Sequence, residues 1–523
     1  MPHTGAPLDR PIAIGEILTY GLSHKPDEPA LVSHGASWTF RQLDVGSARL
    51  AANYLGLGLR PGDRVASLMP NRTILPVHYL ACMRAGLVAN PLNYRYTPPE
   101  IDHVLEATGA SMLVVHGERD ADIVASTVAG KLPAGVVWCA AKDDTGQSLE
   151  ALVEQDPGSR DLPAIDPKSP GQIIYTSGST GLPKGVTHSF ETFGWLLASI
   201  IKGYVFSADD VLLPALSMSH GGGIHSTFAM LSAGGKVLIP RTTDADELLP
   251  LMREHKPTMM AALPAALFQL LGHEDIEQSD FASLRYMLSG GDKVPAELER
   301  KFKELAGFDI EEGYGATEAG LITFNHPGEM NKLGSVGTAN PGFSLSIRDD
   351  EGNEVPHDRQ GQFWIKSPTL MVGYWNAPDA TAQSMKDGWF NTGDVLRADA
   401  DGYFWFCGRK KQIIVHDGSN ISPQEVEAAL FEHSAVALAG VIGIRDLFHG
   451  ENVRAYVTFN EGVAWPSDLE LIKFARARVG YKAPEEIVIL DEMPMIADGK
   501  VDRSGLKRMA EERHAGTQAS SSV

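Results

Sequence analysis

Short apolar runs and longer stretches with a helical repeat alternate along the first third of the chain. The run "DRVASLM" (63–69) predicts a buried strand, and "ILPVHYLACMRAGL" (74–87) predicts a helix. Thr97 and Glu100 have the spacing of a capping box that begins a second helix, and "SMLVVH" (111–116) predicts the strand after it. Strands and helices that alternate in this way predict parallel sheets covered by helices, an α/β fold.

Two polar stretches divide the chain. The segment "EQDPGSRDLPAIDPKSPG" (154–171) is typical of a connection between two α/β units. A second break is expected near "CGRKKQ" (407–412), because the residues after it have strand and helix patterns of their own. The sequence therefore predicts a large domain over residues 1–407 and a small α+β domain over residues 408–523.

The composition of the chain disfavours some classes of binding partner. The chain has 45 basic and 66 acidic residues, a formal net charge of -21, which disfavours binding to nucleic acid and to anionic membranes. An anionic ligand must therefore be held by local donors. The sequence shows neither a secretory signal nor an apolar run of the roughly 18 residues that a membrane span needs, so we expect no membrane span. Cys82, Cys139 and Cys407 lack metal-ligand spacing, which favours a reducing cytoplasm.

A glycine-rich loop, "YTSGSTGLPKGV" (175–186), is a candidate for phosphate binding. It differs from the nucleoside-triphosphatase loop because Lys184 is followed by Gly185 and not by Ser or Thr. The flanking patterns predict a strand before the loop and a helix over residues 188–206, and a turn between them would present backbone N–H groups to an anion. A mobile surface linker has a similar composition, so these residues alone leave both interpretations open.

The stretch "EGYGATEAG" (312–320) carries further polar chemistry. Glu318 stands where a dinucleotide-binding fingerprint needs its third glycine, which argues against an NAD site. Tyr314 could stack on a base, Thr317 could bond a phosphate and Glu318 could hold Mg²⁺. Downstream, Asp394 lies in a glycine turn where a carboxylate could accept both hydroxyls of a ribose.

Taken in order, these motifs resemble the ATP-dependent adenylate-forming superfamily of acyl-CoA synthetases, nonribosomal peptide adenylation domains and firefly luciferase. The resemblance spans most of the chain, from the glycine-rich loop to Lys500 in "ADGKVDR". It implies a large N-terminal domain of doubly wound sheets with a β-barrel-like subdomain, followed by a small, mobile α+β domain. It also implies that ATP, Mg²⁺ and a carboxylic acid form an acyl-adenylate, whose acyl group then passes to the thiol of CoA.

The resemblance also implies roles for single residues. In the nucleotide site, the residues expected to contact phosphate, adenine or ribose are Thr176, Ser177, Gly178, Ser179, Thr180, Lys184, Gly290, Gly291, Asp292, Gly313, Tyr314, Gly315, Asp394 and Arg409. Thr317 would contact the α-phosphate and Glu318 the Mg²⁺. Lys500 would bridge the carboxylate and the α-phosphate, and Lys411 would be the hinge on which the small domain rotates.

The stretch "MSHGGGIHS" (218–226) matches the place where the family has a histidine before its acyl pocket. His220 would close the pocket or gate the thiol, although a histidine packed beneath the loop is an alternative. The three glycines after it, 221–223, would leave room for a bulky acid if they line the pocket, but tight packing would also require glycine. No Asp stands where amino-acid-activating domains hold an α-amine, so an acid without an amino group is expected.

The sequence leaves the acceptor of the acyl group open, and two other classes of protein have to be considered. Gln412 and Asp417 depart from the pattern of CoA ligases, whereas "YKAP" (481–484) resembles it, so transfer to an amine or to a carrier-protein thiol remains open beside CoA. "HGGG" is also an oxyanion-hole signature of serine hydrolases, but no Gly-x-Ser-x-Gly elbow occurs. A non-catalytic nucleotide-binding module would not need Glu318 and Lys500. Monomer and homodimer are both open.

Overall fold

A computed structural model describes residues 3–140, 147–176, 183–291, 293–410, 412–416, 419–446, 450–460, 462–496 and 499–520. Its helices, in chain order, are α1 (Thr19–His24), α2 (Phe40–Gly56), α3 (Ile74–Arg84), α4 (Pro98–Thr108), α5 (Asp120–Ala125), α6 (Leu149–Glu154), α7 (Phe190–Tyr204), α8 (Gly221–Ala233), α9 (Ala245–His255), α10 (Pro264–Gly272), α11 (Ala296–Ala306), α12 (Pro378–Ser384), α13 (Pro423–Phe431), α14 (Asp468–Val479) and α15 (Arg503–Ser520).

The strands are numbered in the same way. They are β1 (His3–Thr4), β2 (Pro29–Ser33), β3 (Ala36–Thr39), β4 (Arg64–Leu68), β5 (Val88–Pro91), β6 (Met112–His116), β7 (Val136–Cys139), β8 (Gln147–Ser148), β9 (Pro170–Thr176), β10 (Lys184–Ser189), β11 (Val211–Ala215), β12 (Lys236–Leu238), β13 (Met259–Ala262), β14 (Tyr286–Gly290), β15 (Glu311–Ala316), β16 (Gly320–Phe324), β17 (Thr338–Ala339), β18 (Ser344–Arg348), β19 (Gly361–Lys366), β20 (Gly373–Tyr374), β21 (Met385–Lys386), β22 (Trp389–Ala398), β23 (Phe404–Arg409), β24 (Ile414–His416), β25 (Ser419–Ile421), β26 (Val436–Asp446), β27 (Gly450–Phe459) and β28 (Glu486–Ile489).

Two large sheets form the centre of the N-terminal part. Within the described residues, one has the strand order β20-β10-β9-β5-β4-β6-β7-β8 and the other the order β17-β16-β15-β14-β13-β11-β12-β2-β3. Their central strands are parallel, as in the pairs β4–β6 and β13–β14. The predicted α/β fold with parallel sheets is confirmed, and an apolar core joins the two sheets through buried side chains such as Tyr54, Phe193 and Phe228.

Two smaller sheets complete the fold. The antiparallel strands β18, β19 and β22 form the middle of a third sheet, which corresponds to the predicted β-barrel-like subdomain. The C-terminal strands β24–β28 form a fourth sheet, covered by α13, α14 and α15. This α+β unit has its own apolar core, with Ile414, Val453 and Leu471 fully buried.

The elements around the glycine-rich loop differ from the prediction in one respect. The loop connects β9 to a second strand, β10, which pairs with it in antiparallel register from Lys184↔Thr176 onward. The helix α7 begins only at Phe190, where the Ser189 hydroxyl accepts a hydrogen bond from the Thr192 N–H. The prediction of a strand-to-helix turn is therefore wrong. The strand forms because Val186 and Thr187 are β-branched and buried between two neighbouring strands.

Candidate functional site

The carboxyl ends of β14 and β15 form one wall of the site. These strands are parallel neighbours, and Gly290 lies opposite Gly313. A Cβ atom on Gly290 would lie 2.5 Å from the Gly313 carbonyl oxygen, so the two backbones approach each other only because residue 290 is glycine. Gly291 follows with a φ of +81°, which disfavours any residue with a side chain. The predicted glycines therefore present bare backbone at this edge.

The turn after β15 carries Thr317 and Glu318. A Cβ atom on Gly315 would lie 2.6 Å from the Gly320 carbonyl oxygen, so glycine allows β15 and β16 to pair closely on either side of the turn. The backbone carbonyl of Thr317 accepts a 2.8 Å hydrogen bond from His188 Nε2. Because His188 is fully buried, this bond fixes the turn to β10.

Glu318 lies beside a tyrosine that sequence analysis did not identify. The hydroxyl of Tyr374 donates a 2.8 Å hydrogen bond to Glu318 Oε1. The same ring lies 5.2 Å from the Lys184 ammonium, measured to the ring centre, which is within the range of a cation–π contact. Tyr374 therefore brings the lysine of the glycine-rich loop and the carboxylate of the β15–β16 turn to one place. Among the described residues, Glu318 has no ion-pair partner.

A second carboxylate, Asp394, is buried against Tyr314. The Tyr314 hydroxyl donates a 2.5 Å hydrogen bond to Asp394 Oδ2, and Arg409 Nε lies 3.3 Å from Oδ1. Asp394 and Arg409 are direct partners on β22 and β23, so the prediction that Asp394 lies in a glycine turn is wrong. Asp394 is 5% exposed, and its Oδ1 accepts no hydrogen bond from the described residues. Oδ1 is therefore a buried acceptor whose charge is balanced by the Arg409 guanidinium.

The charges around Asp394 set its protonation. Burial raises the pKa of Asp394 above its ordinary value, while the Arg409 guanidinium and the Tyr314 hydroxyl oppose that rise. Burial and the Asp394 charge raise the pKa of Tyr314, which keeps the phenol protonated as a donor. The ring of Tyr314 packs edge-on against Phe363 at 5.6 Å and nearly parallel to Phe406 at 6.0 Å.

Lys500 lies on an exposed turn of the C-terminal unit. The Ile496 N–H donates a 2.8 Å hydrogen bond to the Lys500 carbonyl. Met495 and Val501 form an isolated antiparallel β-bridge across the turn. The positive charge of Lys500 also opposes the rise in the pKa of Asp394, less than the Arg409 guanidinium does. A Cβ atom on the neighbouring Gly499 would lie 3.6 Å from Arg95 Nη1, so this turn lies against the N-terminal part.

His220 precedes α8, and its Nε2 lies 3.4 Å from Asn93 Nδ2. The three glycines after it differ in their surroundings. A Cβ atom on Gly223 would lie 2.4 Å from the Ser217 carbonyl oxygen, whereas one on Gly222 would meet only Leu216 Cδ1, at 3.4 Å. Tight packing therefore explains why residue 223 is glycine. Gly222 is exposed, and a side chain at this position would meet no backbone atom.

Several predicted residues lie outside the described part of the chain. They are Ser177, Gly178, Ser179, Thr180, Asp292 and Lys411. Of the glycine-rich loop, the structure describes Thr176 at the end of β9 and Lys184 at the start of β10, which are direct partners.

Sequence analysis also missed His188 and Tyr374. His188 fell in a stretch assigned to a helix, where its contact with Thr317 could not be foreseen. Tyr374 lies in "VGYW", an apolar pattern typical of a core strand. The one signal that could have pointed to Tyr374 is its polar hydroxyl, next to the apolar ring system of Trp375.

Family models and known proteins match most of this chain. The family model described as AMP-binding enzyme matches residues 20–375, and the model of the AMP-binding enzyme C-terminal domain matches residues 425–500. Feruloyl-CoA synthase of an Amycolatopsis species is 33% identical over 492 residues, which cover 92% of this chain and 96% of that protein. Indoleacetate–CoA ligase of Aromatoleum aromaticum is 34% identical, with 93% and 96% covered.

Solved structures are similar over nearly the whole chain. ATP-bound MatB from Rhodopseudomonas palustris has a TM-score of 0.86 at 27% identity, covering 95% of this chain and 99% of that one. The anthranilate CoA ligase AuaEII in complex with anthranoyl-AMP has a TM-score of 0.88 at 26% identity, with 97% and 99% covered. The amide bond synthetase McbA from Marinactinospora thermotolerans has a TM-score of 0.83 at 26% identity, with 95% and 99% covered. The predicted adenylate-forming superfamily is thereby confirmed: this chain belongs to the family of AMP-binding enzymes.

Proposed function

We propose that the protein is an AMP-forming acyl-CoA synthetase that activates a carboxylic acid with ATP and transfers the acyl group to CoA. The observation that carries this proposal is the position of the Lys500 turn, which lies against Arg95 of the N-terminal part and whose positive charge acts on the buried Asp394. Simple binding of ATP would not need such a remote lysine. The CoA ligases among the relatives match this chain over more than nine-tenths of its length.

The nucleotide is held by three surfaces. Asp394 Oδ1, which lacks a hydrogen bond among the described residues, accepts the ribose hydroxyls, and Arg409 balances the charge of that carboxylate. Tyr314 forms an aromatic wall for the adenine, next to the backbone of Gly290 and Gly291. Lys184 and the glycine-rich loop hold the β- and γ-phosphates, since a lysine ammonium and backbone N–H groups are suited to this charge.

Glu318 and Thr317 suit a magnesium ion. Mg²⁺ prefers one or two carboxylate oxygens together with phosphate oxygens, and Glu318 offers a carboxylate whose hydrogen-bond partner, Tyr374, is uncharged. When bound, the ion neutralises part of the phosphate charge. Within the chain, Tyr374 orients the Glu318 carboxylate, and His188 holds the backbone at Thr317, so that both groups face the phosphates.

The chemistry needs charge neutralisation and positioning, and no side-chain nucleophile. An oxygen of the substrate carboxylate bonds to the α-phosphorus in line with the departing pyrophosphate, whose bond to that phosphorus breaks. Lys500 neutralises the two anions as they approach, and Lys184 stabilises the leaving pyrophosphate. In the second step the CoA sulfur bonds to the acyl carbon and AMP leaves with the electrons of the broken C–O bond.

The C-terminal unit rotates between these steps. The predicted boundary between residues 407 and 408 would divide β23, which pairs with β22, so we place it after Arg409 and the hinge at Lys411. Rotation there withdraws Lys500 and admits the thiol. The separate apolar core of the C-terminal unit supports movement as one body. His220, at the start of α8, gates the thiol or closes the acyl pocket.

The acid is bulky and lacks an α-amino group. Room in front of Gly222 supports this assignment, as do the relatives that act on ferulate and indoleacetate by name. An amine or a carrier-protein thiol is the second candidate acceptor, supported by the similarity to the amide bond synthetase and to a fatty acid–acyl-carrier-protein ligase from Streptomyces coeruleorubidus at 31% identity.

We place the reaction in the cytoplasm. All three cysteines are free thiols, which suits a reducing compartment. In the part of the chain that the structure describes, no helix combines the length and the apolar character needed to cross a membrane.

A pyrophosphate-release assay tests the proposal. The purified protein is given ATP, Mg²⁺ and panels of aromatic, alicyclic and long-chain acids, first without an acceptor and then with CoA, amines or a carrier protein. We expect release that depends on one class of acid, with CoA converting the adenylate to a thioester. No release with any acid would refute the activation step, and consumption of the adenylate by amines alone would replace CoA as the acceptor.

A further inference from the structure

A cavity away from the predicted nucleotide site lies at the carboxyl ends of β4, β6 and β7. In this sheet β4 pairs with β5 on one side and with β6 on the other, all parallel, so the strand order reverses at β4. The crevice outside the carboxyl ends of strands at such a reversal is where open α/β sheets commonly bind ligands. The cavity has a volume of about 560 Å³ and contains none of the residues assigned to ATP above.

Arg72, in the loop after β4, supplies the unpaired charge of this cavity. Its guanidinium has no hydrogen bond or ion pair with any described residue. Arg72 lines the cavity together with His116 and Cys139. Burial lowers the pKa of His116 and raises that of Cys139, and the positive charge of Arg72 adds to the first effect and opposes the second. An arginine beside a partly enclosed cavity and without a carboxylate partner is suited to an anionic ligand.

The two carboxylates in the wall are already engaged. Glu118 pairs with Arg241 and accepts a 2.9 Å hydrogen bond from the Tyr94 hydroxyl. Glu150 accepts hydrogen bonds from the Ser148 hydroxyl at 2.7 Å, the Ala140 N–H at 2.9 Å and the Cys139 thiol at 3.2 Å. These acceptors are therefore satisfied within the protein, whereas the Arg72 donors are not.

His116 adds a second donor. The side chain is 4% exposed, and its Nδ1 accepts a 3.3 Å hydrogen bond from the Glu118 N–H. Because Nδ1 accepts a hydrogen bond, the neutral ring carries its proton on Nε2. Nε2 has no hydrogen-bond partner among the described residues. Burial lowers the pKa of His116, in agreement with a neutral ring. A buried N–H group without an acceptor is rare in proteins and is satisfied by a ligand or by water.

We propose that this cavity binds the carboxylate of a small organic acid, with Arg72 and His116 as its donors. Trp38 and Ile74 form the apolar part of the wall, against which the body of the acid packs. The volume lies within the range of roughly 300–1,000 Å³ that small-molecule sites occupy. The strongly acidic chain repels free anions, so binding here depends on these two local donors.

The test uses 4-iodobenzoate on the full-length protein without ATP. Crystals soaked in it should show an iodine anomalous peak inside the cavity, separate from the site at Asp394. In solution, we expect Arg72→Gln to weaken this binding by at least tenfold and His116→Gln by severalfold, while the melting temperature of each variant stays close to the parent value. Arg476→Gln, at an exposed arginine on α14, is the matched charge control and should leave binding unchanged.

Two further probes define the ligand class. The compound 4-iodobenzylamine has the same shape and the opposite charge, so it should not bind the cavity. Inorganic phosphate should not displace 4-iodobenzoate at equal concentration, because it lacks an apolar body. An empty cavity in the soaked crystals, equal affinity of the Arg72→Gln variant, binding of the amine, or displacement by phosphate would each overturn the assignment. None of these results depends on adenylation, so the proposed function is tested separately.

Discussion

The phenol of Tyr314 and the carboxylate of Asp394 share a 2.5 Å hydrogen bond between β15 and β22. It joins one of the large α/β sheets to the antiparallel third sheet. It occupies Oδ2 and leaves Oδ1, which lies 3.3 Å from Arg409 Nε, without a hydrogen-bond donor among the described residues. This bond therefore connects the adenine wall with the ribose acceptor in our proposal.

The first prediction concerns Tyr314→Phe, which removes that donor and keeps the ring. Hydrogen bonds to charged groups contribute about 1.5–3 kcal/mol, so we expect the KM for ATP to rise at least tenfold. The Tyr314 hydroxyl opposes the rise in the pKa of Asp394, so its removal should raise this pKa further. Since ionised Asp394 is the form that accepts hydroxyls, the acidic limb of kcat/KM for ATP should move to higher pH. An unmoved acidic limb would contradict this role.

The second prediction concerns Lys500→Ala in the two half-reactions. Loss of a group that stabilises transition-state charge typically costs 100-fold to 1,000-fold in rate, and we expect this loss in pyrophosphate release. Thioester formation from preformed acyl-adenylate should be spared, because rotation withdraws the lysine in that step. Lys507→Ala, at an exposed lysine on α15, is the control and should affect neither step. Equal loss in both half-reactions would contradict the two-conformation mechanism.

The third prediction concerns Glu318→Gln, which keeps the shape of the side chain and the hydrogen bond from Tyr374 but removes the charge. We expect the Mg²⁺ concentration for half-maximal adenylation to rise at least tenfold, because one carboxylate ligand is lost. Glu329→Gln, at an exposed glutamate outside the site, should leave the Mg²⁺ dependence unchanged. If both variants give the same Mg²⁺ titration, Glu318 is not a ligand.

Residues within single contiguous motifs were the ones that could be predicted from the sequence. Asp394 on β22, and Glu318 and Lys500 in turns, each belong to one short motif that carries the family resemblance, so their assignment to the predicted site did not depend on the tertiary fold. The α/β class was predictable for a similar reason, because strands such as β4 and helices such as α3 have clear local periodicity.

Contacts between distant segments could not be predicted in this way. His188 and Thr317 are 129 residues apart, and Tyr374 and Glu318 are 56 apart. The strand β10 was not predicted because its first residues belong to the glycine-rich motif and its last two, His188 and Ser189, to the stretch assigned to the helix. Only pairing with β9 and β20 distinguishes it from the start of the helix.

The fourth prediction separates the glycines after His220. Gly222→Leu should reduce adenylation of bulky aromatic acids at least tenfold and spare small acids, because the added side chain fills the room that Gly222 leaves. Gly223→Ala should instead lower the melting temperature, since its Cβ would lie 2.4 Å from a backbone oxygen that cannot move freely. Unchanged acid preference in a folded Gly222→Leu protein would show that this glycine does not line the pocket.

The fifth prediction concerns stability below pH 7. Burial lowers the pKa of His78 and of His225 to about 3 and that of His188 to about 4, whereas an unfolded histidine titrates near 6.5. Between pH 6.5 and 4 the unfolded chain therefore binds more protons than the folded chain. Each of these histidines should destabilise the fold by about 1.4 kcal/mol for every unit that the pH falls below 6.5.

The pH slope of stability is a better measure of this effect than stability itself, because any substitution in the core changes the absolute value. His78, whose Nδ1 shares a 2.8 Å hydrogen bond with the Tyr54 hydroxyl, can be replaced by Gln to remove one titrating group. The loss in free energy of unfolding between pH 7.5 and 5.5, measured by urea titration, should then be smaller by about 1 kcal/mol. Ser23→Gln, at an exposed residue without a titrating side chain, should keep the parent slope. If both variants keep that slope, His78 titrates in the folded protein as it does in the unfolded chain, and its burial does not suppress its charge.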